Sequence, residues 1–287
     1  MISQISLFPI PFNDYGGNGP LIHFAHANGY PPNCYQPLFS QLTNRCHLLS
    51  MLQRPLWKGS VPNEITDWRP LSEDLIRFLN QQSIDSIIGI GHSLGGIVTL
   101  RAAINYPERF KALILIDPVL ISPFYIFLRR LLNFEKLIYH FHPLIKIASR
   151  RRRVFPDRDY IFQSFRRKII FQYLDDDSLQ AYIQGITSPS TQGGVDLIYS
   201  PEWETRIYST GIWNDHDIWN GIASIKIPVL FIRGNKSDTF RSSAVKQIKL
   251  KLPSSDIIDI NNSTHLVPLE KPIELGSIII KFLEERL

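Results

Sequence analysis

Between Ile84 and Leu100 the chain reads IDSIIGIGHSLGGIVTL. An apolar, β-branched run is followed by a glycine-flanked His92-Ser93-Leu94 and then by residues that suit a helix. A strand that turns this sharply into a helix projects its turn serine from strained backbone. Side chains two residues to either side would collide there, which gives the glycines at 91 and 95 a steric reason. The N–H of Leu94 falls at the helix N-terminus, where it can meet developing negative charge. The spaced Gly-x-Ser-x-Gly triplet alone turns up in roughly one chain in ten of this length, and a serine after a strand often only caps the next helix. The setting between strand and helix is therefore what makes Ser93 a candidate nucleophile.

The rest of the chain supplies the matching layers. Leu21–Ala25, His47–Met51, Ala112–Ile116 and Val229–Ile232 are short apolar runs that read as buried strands, with Ile257–Ile260 a weaker one. Trp68–Leu79 has helical apolar spacing behind a candidate cap at Asp67, Tyr35–Leu42 is a shorter helix, and Leu94–Asn105 stops near Pro107. Ile273, Ile278, Ile279, Phe282 and Leu283 mark a final helix. Strands alternating with helices predict an α/β fold with a mostly parallel central sheet covered on both faces.

From about 121 to 225 strand-like runs disappear. Residues 121–170 hold twelve Lys/Arg against three Asp/Glu, and 171–225 hold one Arg against eight Asp/Glu. A segment of this length is too long for a structureless loop inside a compact domain. It reads as a helical insertion, a cap, dividing a core domain of residues 1–120 and 226–287. Its start, through Phe124, Tyr125, Phe127, Leu128, Leu131, Leu132 and Phe134, is strongly apolar: a lid helix packed on the core, or a greasy surface for acyl chains or a membrane. Arg150 to Arg153 is a solvated run, one neutralised by the acidic half, or a contact for anionic lipid or substrate.

A nucleophilic serine needs a base and an orienting acid. In Ile227–Asp238 a buried strand and a glycine turn lead to the acid Asp238, and in Asn261–Glu270 a loop before the last helix holds His265. The order Ser93, Asp238, His265 runs Ser…Asp…His. Asp117, directly after the strand Ala112–Ile116, competes for the acid role, and Asp238 is favoured over it. His26 and His92 flank the site as substrate contacts or as braces for their loops. His140, His142 and His216 show no metal-ligand spacing and read as structural or surface residues.

In these motifs the sequence resembles the α/β-hydrolases, in the capped branch of esterases and lipases. The GHSLGG elbow, the RGNKSD acid turn and the THLVPLEKP histidine loop carry the resemblance over roughly residues 20–120 and 226–287. Phe24-Ala-His-Ala-Asn28-Gly-Tyr-Pro-Pro resembles the family's oxyanion loop but has Ala27 where glycine is usual. The implied oxyanion donors are the N–H groups of Leu94 and Asn28, with Tyr30 the alternative to Asn28 and a further candidate substrate contact. The resemblance implies a serine hydrolase acting on a small-molecule or lipid-like carboxylic ester through an acyl-enzyme, without metal or organic cofactor. A thioesterase, a lysophospholipase or a carbon–carbon bond hydrolase could use the same triad, and a ligand receptor the same fold. Haloalkane dehalogenases and epoxide hydrolases resemble this fold but place aspartate where Ser93 stands.

The remaining expectations come from composition. Two cysteines, Cys34 and Cys46, are too few for a disulfide framework and read as reduced thiols. The chain shows no signal peptide and no apolar run long enough to cross a membrane, so a soluble cytoplasmic protein is expected. A net charge of +5 does not by itself imply a nucleic-acid partner. Oligomeric state is not encoded in any motif.

Overall fold

The computed structural model describes residues 9–131, 143–211 and 215–287; Leu132, Phe134, His140 and His142 lie outside them. The central sheet has seven strands: β1 (Phe12–Asp14), β2 (Leu21–Ala25), β3 (His47–Met51), β4 (Ile87–His92), β5 (Phe110–Ile116), β9 (Val229–Gly234) and β10 (Asp256–Ile260). Their spatial order is β1-β3-β2-β4-β5-β9-β10. Every pairing is parallel except β1 with β3. The predicted α/β architecture with a mostly parallel sheet is thus present, with the antiparallel edge strand β1 added to it.

Strand alternation builds the two layers. Leu113, Leu115, Val229 and Phe231 point into one apolar cluster with the helices α2 (Arg69–Gln81) and α3 (Leu94–Asn105). Ala112, Ile114, Ile116, Leu230 and Ile232 point into the other, with α1 (Gln36–Leu42) and the final helix Pro272–Arg286. A side-chain period of two sends successive residues to opposite faces, so a doubly covered sheet needs continuous apolar runs. At the start of α2, Asp67 accepts a hydrogen bond from the Arg69 N–H at 2.8 Å. That satisfies one of the donors a helix N-terminus leaves open.

Between β5 and β9 the described residues are mostly helical, but three short strands had no signature in the sequence. β6 (Val154–Phe155), β7 (Thr187–Pro189) and β8 (Val195–Leu197) form an antiparallel sheet in the order β6-β8-β7. Strands of two or three residues are too short to display alternation. In the helix Pro123–Leu131, Phe124 and Phe127 are 67% and 59% exposed while Ile126 is buried, so this face does not pack on the core. The arginine run is partly neutralised by the acidic half of the segment: Arg151 pairs with Glu204 and Arg153 with Glu202. His216 lies at the start of the helix His216–Gly221. Cys34 and Cys46 are buried free thiols. No helix among the described residues is long and apolar enough to cross a membrane.

One buried ion cluster ties this segment to the core. Arg101 on α3 is almost fully buried and reaches Asp215 at 2.6 Å and Asp217 at 2.8 Å. Burial raises the Asp215 carboxyl pKa, an effect that Arg101 opposes. Removing one partner of a buried pair leaves an uncompensated charge, which is far costlier than replacing both. Arg101→Ala is expected to lower the unfolding free energy by about 3 kcal/mol in urea titrations.

Candidate functional site

The C-terminal ends of the parallel strands carry the site. Ser93 follows β4, Asp117 follows β5, the loop His26–Tyr30 follows β2, and the loop to His265 follows β10. Open parallel sheets bind ligands at this edge.

Ser93 adopts φ 56° and ψ −116°, a conformation non-glycine residues rarely hold. Its amide donates to the Ile116 carbonyl at 3.0 Å, which stitches the turn to β5. The glycines have the steric role expected of them. A Cβ at Gly91 would run into the Gly95 carbonyl, and one at Gly95 into the Ala25 carbonyl. Leu94 is the first residue of α3, so its N–H has no place in the helical ladder.

His265 joins two residues. Its Nε2 lies 2.8 Å from Ser93 Oγ and its Nδ1 lies 3.0 Å from Asp117 Oδ1. A carboxylate can only accept, so Nδ1 carries the proton and Nε2 accepts from the Ser93 hydroxyl. The carboxylate facing the histidine is therefore Asp117 and not the favoured Asp238. Asp117 is fully buried with φ 40°. It accepts from the Gly234 N–H at 3.0 Å, the Ser237 hydroxyl at 2.6 Å and the Phe240 N–H at 3.3 Å.

The RGNKSD turn explains the correction. Past β9 the Lys236 amide donates to the Ser263 carbonyl and the Ser237 amide to the Gly234 carbonyl. That fold aims Ser237 inward and leaves Asp238 exposed, with Thr239 Oγ1 3.3 Å from its carboxylate. The turn thus supplies donors to the acid rather than the acid itself. Glu270, five residues past His265 in the THLVPLEKP motif, anchors the other side. It accepts from the Thr264 N–H at 2.6 Å and the Thr264 hydroxyl at 2.5 Å, which fixes the backbone just before His265.

The remaining candidates divide. His26 and His92 have no exposed surface, and their ring nitrogens face backbone and tyrosine partners. Both brace loops, and neither is placed for substrate. His92 Nδ1 accepts a hydrogen bond from the Tyr35 hydroxyl at 2.9 Å and Nε2 donates to the His265 carbonyl at 2.9 Å, while the Ala27 N–H donates to Tyr35. One chain of bonds therefore links the β2 loop, the elbow and the histidine loop. The Tyr30 N–H closes a turn onto the Ala27 carbonyl at 3.2 Å, with Gly29 at φ 75°. That hydrogen bond takes up the Tyr30 amide and leaves the Asn28 N–H as the loop's free-standing candidate donor. The Tyr30 ring packs on Tyr182, with centroids 5.1 Å apart.

With this geometry in place, comparison with known proteins gives the family. Residues 24–275 match the alpha/beta hydrolase family, and the chain belongs to it. It is 24% identical over 98% of its length to an sn-1-specific diacylglycerol lipase of Danio rerio, 84% of which is covered. It is 21% identical over 93% of its length to bifunctional epoxide hydrolase 2 of Sus scrofa, of which it spans 52%. Among solved structures, E-2-(acetamidomethylene)succinate hydrolase superposes with a TM-score of 0.77 at 18% identity, over 96% of this chain and 95% of that one. These likenesses establish a hydrolase superfamily and its fold, with relatives of several chemistries.

Proposed function

We propose that the protein is a serine hydrolase that cleaves a carboxylic ester of a small or lipid-like molecule. The observation that carries this reading is a single imidazole bonded to Ser93 through Nε2 and to buried Asp117 through Nδ1. Ser93 Oγ attacks the carbonyl carbon and passes its proton to His265 Nε2. Asp117 holds the tautomer and stabilises the imidazolium. The N–H groups of Leu94 and Asn28 receive the oxyanion as it forms. His265 then protonates the departing alcohol, and a water activated by the same nitrogen releases the acid.

Serine at the elbow supports this reading over epoxide opening, despite the epoxide hydrolase relative, because that branch uses aspartate there. The segment between β5 and β9 acts as a cap that selects the substrate. The lipase relative favours an acyl ester over a carbon–carbon bond as the first substrate to try. The test is turnover of p-nitrophenyl esters from C2 to C12 by wild type and Ser93→Ala, with fluorophosphonate labelling in parallel. Wild-type turnover and labelling that both vanish in Ser93→Ala are expected. Labelling without turnover across the series would move the assignment to a thioester or another specialised acyl substrate. Absence of both in folded protein would sink the hydrolase reading in favour of ligand binding.

A further inference from the structure

The side chain of Asn28 is held by the segment between β5 and β9 and not by the core. Its Oδ1 accepts from the Tyr199 hydroxyl at 2.8 Å, and its Nδ2 donates to the Glu204 backbone carbonyl at 3.1 Å. Asn28, Tyr199 and Glu204 are all buried. The Glu204 carboxylate is fixed in turn by Arg151 at 2.7 Å, and Arg151 reaches the Tyr182 hydroxyl at 3.2 Å. From the other side the core grips the start of the loop, through the Ala27 N–H on Tyr35 and through Gln53 on the His26 carbonyl and ring.

We propose that Tyr199 is a positioning residue that sets the Asn28 N–H in the oxyanion hole, so that this hole is complete only while the inserted segment is seated. The inference rests on the serine-hydrolase reading and adds to it that the segment over the site takes part in transition-state stabilisation as well as in substrate choice. A buried asparagine must have its amide satisfied in any fold. What gives this amide a catalytic consequence is its address. The side chain leaves the same residue whose N–H is the candidate donor, and both bonds to it come from across a chain separation of more than 170 residues. An oxyanion donor acts only when it is aimed at the place where charge develops, so a small rotation of the Asn28 peptide is felt in the rate rather than in substrate binding.

Tyr199→Phe keeps the ring and removes one hydrogen bond. It is expected to lower kcat about 10- to 100-fold on the best ester of the series, below the loss typical of deleting a donor outright. KM should stay within about twofold, and phosphonylation of Ser93 by the fluorophosphonate, with loss of fluoride, should slow in step with kcat. Asn28→Ala retains the N–H but removes its tether. It should show a similar loss, and Tyr199→Phe should add little in that background, since both act through one peptide. A merely structural tyrosine would lower the urea midpoint and leave kcat per folded molecule unchanged. That result, or full additivity with Asn28→Ala, overturns the proposal while wild-type labelling leaves the hydrolase reading standing. A folded wild type that neither labels nor turns over overturns both.

Discussion

Asp117→Asn is expected to lower kcat by about 10³- to 10⁴-fold, while Asp238→Asn stays within about twofold of wild type. The asymmetry follows from the surroundings of the two carboxylates. Every partner of Asp117 is a donor: two backbone N–H groups, the Ser237 hydroxyl and His265 Nδ1. An asparagine must place its NH2 against one of them. If it faces His265, the imidazole adopts the other tautomer and Nε2 can no longer accept the Ser93 proton. If it faces the Gly234 N–H, two buried donors oppose each other and the charge that stabilises the imidazolium is still lost. Asp238 is exposed, and among the described residues its hydrogen bonds stay within its own turn, to Thr239 and Arg241. Steady-state turnover of the best p-nitrophenyl ester decides the matter, with circular dichroism to certify folding. A larger loss from Asp238→Asn than from Asp117→Asn would overturn the assignment of the acid.

The same pair shows where sequence reasoning reaches its end. Ser93 was legible because its requirements are local: the strand, the turn glycines and the helix all lie within Ile87–Asn105. His265 stood out through its loop between the last strand and the last helix. The acid is different, because two strands are followed by an aspartate, Asp117 directly after β5 and Asp238 four residues past β9. The choice depends on how the Asn235–Phe240 turn folds against the Ser263 carbonyl, a contact between segments far apart in the chain. The tether on Asn28 was invisible for the same reason, since Tyr199 and Glu204 belong to a segment whose sequence carries no motif. Secondary structure followed suit. Long apolar strands were readable from their runs, whereas β6, β7 and β8 exist only through their partners.

Acid should destabilise this protein well before its surface carboxylates are protonated. His23, His26 and His92 are fully buried, and desolvation pushes their pKa values down to about 3, 4 and 3. The geometry agrees, because each uses one ring nitrogen as an acceptor. His23 accepts from the Met51 N–H, His26 from the Gln53 N–H and His92 from Tyr35. Protonation would turn each acceptor into a second donor inside the core. In the unfolded chain the same histidines titrate near the ordinary value of about 6.5. The unfolded state therefore binds more protons throughout the window from about pH 6.5 down to about pH 4, and stability falls as pH falls. Three such groups amount to about 5 kcal/mol between pH 7 and pH 5. The buried Asp215, with its pKa raised to about 6, runs the other way: the folded state takes up its proton first, which returns about 1 kcal/mol over the same interval. The net expectation is a loss of about 4 kcal/mol, a large share of a typical domain's stability. Urea titrations at pH 7, 6 and 5 measure it directly. His23→Gln, which keeps an acceptor for Met51 and removes one titrating group, should reduce the slope by about 1.4 kcal/mol per pH unit at its steepest. A urea midpoint that stays flat from pH 7 to pH 5 would show that these histidines are charged or solvated in the native state. The bracing of the elbow through His92 would then fail with it, because a protonated ring could not accept from Tyr35 while donating to the His265 loop.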